Sequence, residues 1–168
     1  MSKKDFTSNL IEMISQVTGL YYRLILAVGL QDTGKTRLMQ MVHKKLGAPL
    51  INLNLELSKQ LLDLTERQRS LSLPKIMEDI VGSFDKEVVL LDNIEVLFDV
   101  NLKQDPLKLL QNLSRNRTIV GTWNGTIEKN NLIYAVPDHP EYRKYPIKDI
   151  LYISMTNNSK ENIQGNNQ

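Results

Sequence analysis

The 168-residue sequence predicts a three-layer α/β sandwich, a mostly parallel sheet of about five strands with helices on both faces. Three observations carry this. Apolar runs of strand length alternate with amphipathic helical segments. A glycine-rich turn, Gly29-Leu30-Gln31-Asp32-Thr33-Gly34-Lys35-Thr36, separates the first such strand from the helix after it. An apolar run closed by an acidic residue, Val88-Val89-Leu90-Leu91-Asp92, reads as a second strand buried on both faces.

In chain order, Phe6, Leu10, Ile11, Ile14 and Val17 recur at helical spacing, so residues 5–17 are expected to form a helix that Gly19 ends. Residues 21–28 read as the first strand. The helix after the glycine turn has Leu38, Met41, Val42 and Leu46 on its inner face, against Arg37, Gln40, His43 and Lys44 outside. Gly47 suits its C-terminal cap, and residues 49–53 read as a short strand. Leu55, Leu57, Leu61, Leu62 and Leu64 predict a further helix flanked by Lys59, Arg67 and Arg69, either a solvated face or a contact for nucleic acid or an acidic partner. A turn is expected at Ser70 to Ser72, with Ser72 capping a helix whose first turn holds Pro74 and whose apolar face is Ile76, Met77, Ile80, Val81 and Phe84. Pro106 opens another helix, with Leu107, Leu109, Leu110 and Leu113 inside. A compact strand over residues 118–122 then leads to Trp123, read as packing, and to Asn124-Gly125. Short strands are expected over 132–136 and 150–153, with a proline-punctuated loop over 137–146 between them. The domain so defined covers residues 1–155, and the polar stretch 156–168 reads as a disordered tail.

The glycine turn matches the Walker A pattern G-x-x-x-x-G-K-[ST]. Glycines allow a tight turn in which successive N–H groups converge on phosphate oxygens, and the helix behind adds the positive end of its dipole. Residues 29–36, with Arg37, are thus the candidate nucleotide-binding residues. Lys35 would reach the β- and γ-phosphates, and Thr36 would give its hydroxyl to Mg²⁺. Asp92, at the carboxyl end of its strand, matches the Walker B aspartate and is the second candidate Mg²⁺ residue. Many NTPases of the AAA+ group place a glutamate directly after that aspartate to polarise the attacking water. Here the position is Asn93, whose amide orients water but takes no proton; Glu95 is the candidate base, or a first-turn residue favoured by the helix dipole. The order of Walker B strand, helix and polar-tipped strand resembles the AAA+-like core, in which the tip residue senses the γ-phosphate; Asn124 or Thr122 would fill that role. Arg143 is a candidate arginine finger for a neighbouring subunit, or a structural arginine. His139 lacks a second ligand at metal spacing.

Cysteine is absent, which excludes disulfides and thiolate chemistry. A net charge of +2 names no partner, and no apolar run is long enough to cross a bilayer. Without a signal-peptide pattern after Met1, the cytoplasm is the expected compartment. Residues 156–168 are not expected to include the helical lid of a full AAA+ module or its sensor 2.

Taken as a set, residues 29–36, Leu90-Leu91-Asp92-Asn93, Thr122-Trp123-Asn124-Gly125 and His139-Pro140-Glu141-Tyr142-Arg143 are similar to the BrxF family, the small P-loop proteins of BREX type 3 phage-defence systems. The resemblance implies a cytosolic nucleotide-binding component of a bacterial anti-phage island, acting beside a large ATPase, a DNA methyltransferase, a helicase and a phosphatase-like protein. Three functions stay open. One is a Mg²⁺-dependent, ATP-binding ATPase subunit that forms a homo-oligomer, with slow or partner-dependent turnover and DNA a possible further partner. Another is a nucleotide-gated binding module that rarely hydrolyses ATP. The third is a small-molecule kinase, for which Arg115, Arg117 and Arg143 are the available phosphate-facing arginines.

Overall fold

The structure, a computed structural model, describes residues 5–155 and 161–165. Its sheet is built around β1 (Leu24–Gly29), every residue of which is buried. Parallel neighbours follow in the order β2 (Leu50–Asn52), β3 (Val88–Asp92), β4 (Thr118–Glu128), β1 and β7 (Leu151–Met155), five parallel strands as expected.

Alternation along β1 sorts the two faces. Ile25 and Ala27 join the core under α1 (Phe6–Gln16) and α2 (Lys35–Leu46), with Leu10, Met13, Met39 and Val42. Leu24, Leu26 and Val28 join the larger core under α3 (Leu53–Leu61), α4 (Glu66–Gly82) and α5 (Pro106–Leu113). Helices on both faces explain why β1 and β3 read as continuous apolar runs rather than alternating ones.

Several expectations are corrected. In α2 the inner face is Leu38, Met39 and Val42, while Met41 and Leu46 are exposed. No turn forms at Ser70 to Ser72. Instead α4 runs straight through, starting at a Thr65 cap whose side chain accepts from Gln68 N–H while Gln68 returns a bond to Thr65 N–H, a full capping box. Pro74 therefore lies inside the helix and leaves the Ser70 carbonyl without its usual donor. Gln104 fills the gap, donating from Nε2 to Ser70 O at 2.7 Å.

The larger difference is in β4. Rather than ending at Thr122, it continues through Trp123, Asn124 and Gly125 to Glu128. Its distal half pairs antiparallel with β5 (Asn131–Tyr134), and β5 with β6 (Arg143–Pro146), forming an arm. Trp123 is fully buried at the base of the arm, as the packing reading expected. Its Nε1 donates to Ile133 O at 3.1 Å, and its ring meets Phe98, Tyr134 and Tyr145 edge-on. Within the stretch expected to be disordered, Glu161–Gly165 form β8, antiparallel to β7; the rest of 156–168 lies outside the described residues.

Candidate functional site

The carboxyl ends of β1 and β3 and the middle of β4 meet the amino end of α2 around a chamber of about 410 Å³. The β1–α2 loop makes one wall. Gly34 has φ +92°, a left-handed conformation suited to glycine, and this turns the chain into α2 so that Lys35 and Thr36 open the helix. Gln31, Asp32, Gly34, Lys35, Thr36 and Arg37 line the chamber. Gly29, Leu30 and Thr33 lie on the other flank of the loop, along a smaller cleft with Met155. A Cβ on Gly29 would collide with the Thr33 side chain and come within 2.9 Å of Met155 O, so the loop's close seat on β7 needs a glycine.

Lys35 is nearly buried, and its Nζ donates to the Gly29 and Leu30 carbonyls, each at 2.7 Å. Burial holds its ammonium below the usual lysine range, against the opposing charges of Glu95, Asp92 and Asp32. Across the chamber Asp92 is buried and fully engaged. Oδ2 accepts from Thr36 Oγ1 at 2.8 Å; Oδ1 accepts from Thr122 Oγ1 at 2.8 Å and from Asn93 N–H at 2.9 Å. The two candidate Mg²⁺ residues are thus in direct contact although 56 positions apart in the chain.

Asn93 sits at φ 57°, ψ 51°, a left-handed position that asparagine tolerates and glutamate resists. The backbone here therefore favours Asn over the glutamate common after a Walker B aspartate. The 3-10 turn Ile94–Phe98 then brings Glu95 to the chamber wall. Burial pushes the Glu95 carboxyl above its usual range; its own backbone hydrogen bond opposes this, Asp92 adds to it and Lys35 opposes it.

Of the two sensor candidates, Thr122 is 1% exposed and committed to Asp92, so it positions the carboxylate. The sequence signal for that role is the register of β3 on β4: Leu91 pairs with Gly121, which sets Asp92 beside Thr122. Asn124 lines the chamber, and its Oδ1 is buried without a hydrogen-bond partner among the described residues. An unpaired acceptor midway along the loop's neighbouring strand is a mark of a ligand-contacting residue. Arg143 is elsewhere. It lies on β6, and its Nη2 donates to Gln104 O at 2.8 Å, the same Gln104 whose side chain caps Ser70. His139 accepts through Nδ1 from Glu141 N–H, and among the described residues no group of three or more His, Asp or Glu side chains is placed to hold a metal ion.

The strand order gives a mostly parallel α/β sheet with helices on both faces, and the glycine loop between β1 and α2 and the aspartate ending β3 place the Walker A and Walker B patterns side by side on it. No protein-family model matches the chain, and no curated protein matches it significantly. Among solved structures it is similar to C. elegans PCH-2, with 21% identity and a TM-score of 0.42 over 73% of this chain and 37% of that one. It is also similar to AMPPCP-bound DnaA from Aquifex aeolicus, with 16% identity and a TM-score of 0.37 over 90% of this chain and 46% of that one. The chain thus spans less than half the length of either structure. Among the described residues no helix is long and apolar enough to cross a membrane.

Proposed function

We propose that this chain binds ATP with Mg²⁺ in the β1–α2 chamber and turns it over slowly, as an assembling subunit of a cytoplasmic bacterial phage-defence complex. The observation that carries the binding reading is the convergence of Lys35, Thr36 and Asp92 on one chamber. The Lys35 ammonium bridging two loop carbonyls is the group that would turn to the β- and γ-phosphates. Thr36 and Asp92 would hold Mg²⁺, which supplies charge neutralisation on the phosphates. Phosphoryl transfer needs mainly positioning and electrostatic stabilisation, and this set offers both. Asn124 would contact the γ-phosphate. Glu95 is the candidate base, and its raised carboxyl range moves it toward the pH at which a base acts well. Arg143 would serve a neighbouring copy only after leaving Gln104 O. The defence setting, its partner proteins and any contact with DNA rest on the resemblance given above.

A second reading, a module that ATP orders for binding and rarely consumes, is favoured by Asn93: its left-handed backbone disfavours the carboxylate that commonly polarises water there. One experiment separates the two. Phosphate release and oligomer mass are measured with ATP and Mg²⁺ for the parent, Lys35→Ala and Arg143→Ala. Slow release, abolished by Lys35→Ala and lowered when Arg143→Ala is mixed into the parent, supports a shared-site ATPase. Assembly with ATP but no release supports the binding module. No ATP-dependent assembly and no release would remove both.

A further inference from the structure

Asp32 carries the wrong sign for an anion site. It lies in the turn whose backbone N–H groups form the phosphate cradle of the reading above, and it lines the chamber. Conformation accounts for the residue type but not for the charge. The position is left-handed, φ 65°, which aspartate, asparagine and glycine all accept, so a neutral residue would serve the turn as well. Among the described residues no hydrogen bond or ion pair occupies the Asp32 carboxylate, so no structural tie explains it either. Its charge reaches the Lys35 ammonium alongside those of Glu95 and Asp92.

The lining as a whole sets three carboxylates, Asp32, Asp92 and Glu95, against two cations, Lys35 and Arg37. With Glu95 protonated the charges balance, and with it ionised the chamber is net negative. In neither state is there the positive excess that a polyphosphate anion would draw on. Nor, among the described residues, are the three carboxylates grouped to hold a metal ion by themselves, so a cation held here needs phosphate oxygens as well.

We propose that Asp32 makes the chamber selective for the metal complex of the nucleotide over the metal-free polyphosphate anion, by repelling phosphate charge that Mg²⁺ has not neutralised. This rests on the ATP reading above and adds a specificity-determining residue to it. Thr36 and Asp92 would attract the metal, Asp32 rejects the ligand that arrives without it, and selectivity is the difference between the two. Repulsion scales with the charge on the ligand, and Mg²⁺ halves the charge of ATP, so the free anion is disfavoured about twice as strongly as the complex in free energy. Because Asp32 is exposed, salt screens this repulsion.

The test is calorimetric titration of the full chain with ATP in excess Mg²⁺, and with ATP and tripolyphosphate in EDTA. The proteins are the parent, Asp32→Asn and Asp32→Gly, each at about 0.05 M and about 0.5 M salt. Metal-free ATP is expected to bind both variants about tenfold tighter than the parent, and its Mg²⁺ complex about threefold tighter, so that the ratio of the two affinities narrows about threefold. Tripolyphosphate, which has no base or sugar, should follow metal-free ATP, and high salt should remove most of the difference between the proteins. Equal ratios for the parent and Asp32→Asn, with the Mg²⁺ complex bound by both, overturn the proposal and leave the ATP reading standing. A ratio that narrows in Asp32→Gly alone traces the effect to backbone freedom and also overturns it. Binding of no ligand by any of the three proteins would overturn the ATP reading, and this proposal with it.

Discussion

The two halves of β4 are built differently. Thr118 to Trp123 are all buried, held between β3 and β1 in a parallel sheet with helices on both faces. From Gly125 the strand has one antiparallel partner, β5, and its side chains become progressively exposed. The change falls at Asn124, the last residue paired with β1 through Gly29, immediately before Gly125 pairs with Tyr134. Asn124, between a rigid parallel core and a hairpin arm, lines both the nucleotide chamber and an open cleft under the arm.

The junction itself is expected to be the most sensitive point. A Cβ at Gly125 would overlap the Ile133 carbonyl and approach Trp123 Nε1 to 2.9 Å, so Gly125→Ala must push β5 away from β4 and break the Trp123–Ile133 hydrogen bond at the base of the arm. A loss of about 3 kcal/mol or more is expected, read as a lower urea midpoint. Stability close to the parent's would mean that the arm is not seated as described. Inside the core half, Thr122→Val keeps the shape but removes a donor from buried Asp92. About 1–3 kcal/mol should be lost in the same measurement, together with a weaker dependence of ATP binding on Mg²⁺. An unchanged Mg²⁺ dependence would show that Thr122 does not position Asp92 for the metal.

Glu95→Gln is expected to act least on stability, and in the opposite direction. Burial raises the folded carboxyl above its ordinary 4.5, so the fold prefers the protonated form, and the parent carries a cost wherever the carboxylate is ionised. Glutamine mimics the protonated state. The variant should therefore melt higher than the parent at neutral pH, by about 2–4 °C for each kcal/mol relieved. That gain should shrink as pH falls through the raised folded value and vanish below the unfolded one. If Glu95 is the base, the same variant loses the acid limb of the turnover profile. A gain that persists at low pH would place the effect outside ionisation.

The parallel core and its loop were legible because their signals are local. Buried strands give unbroken apolar runs, and the spacing of Gly29, Gly34, Lys35 and Thr36 is dictated by one turn. Helix α4 was misread because Pro74 suggests a start; the compensating Gln104 side chain lies far along the chain, although Thr65 and Gln68 carried a capping-box signal. The arm was hidden for a related reason. Asn124-Gly125 has the composition of a turn, and only the tertiary seat of Trp123 against Ile133 shows the strand continuing. The open cleft under the arm draws Glu128 and Glu141 from separate segments, which no short motif connects.

The most direct test of the nucleotide chamber is equilibrium binding of ATP, with and without Mg²⁺, to the parent and to Lys35→Ala. Saturable Mg²⁺-assisted binding by the parent, weakened about tenfold to a hundredfold in the variant, is the expected result. Equal binding by the two proteins would contradict it.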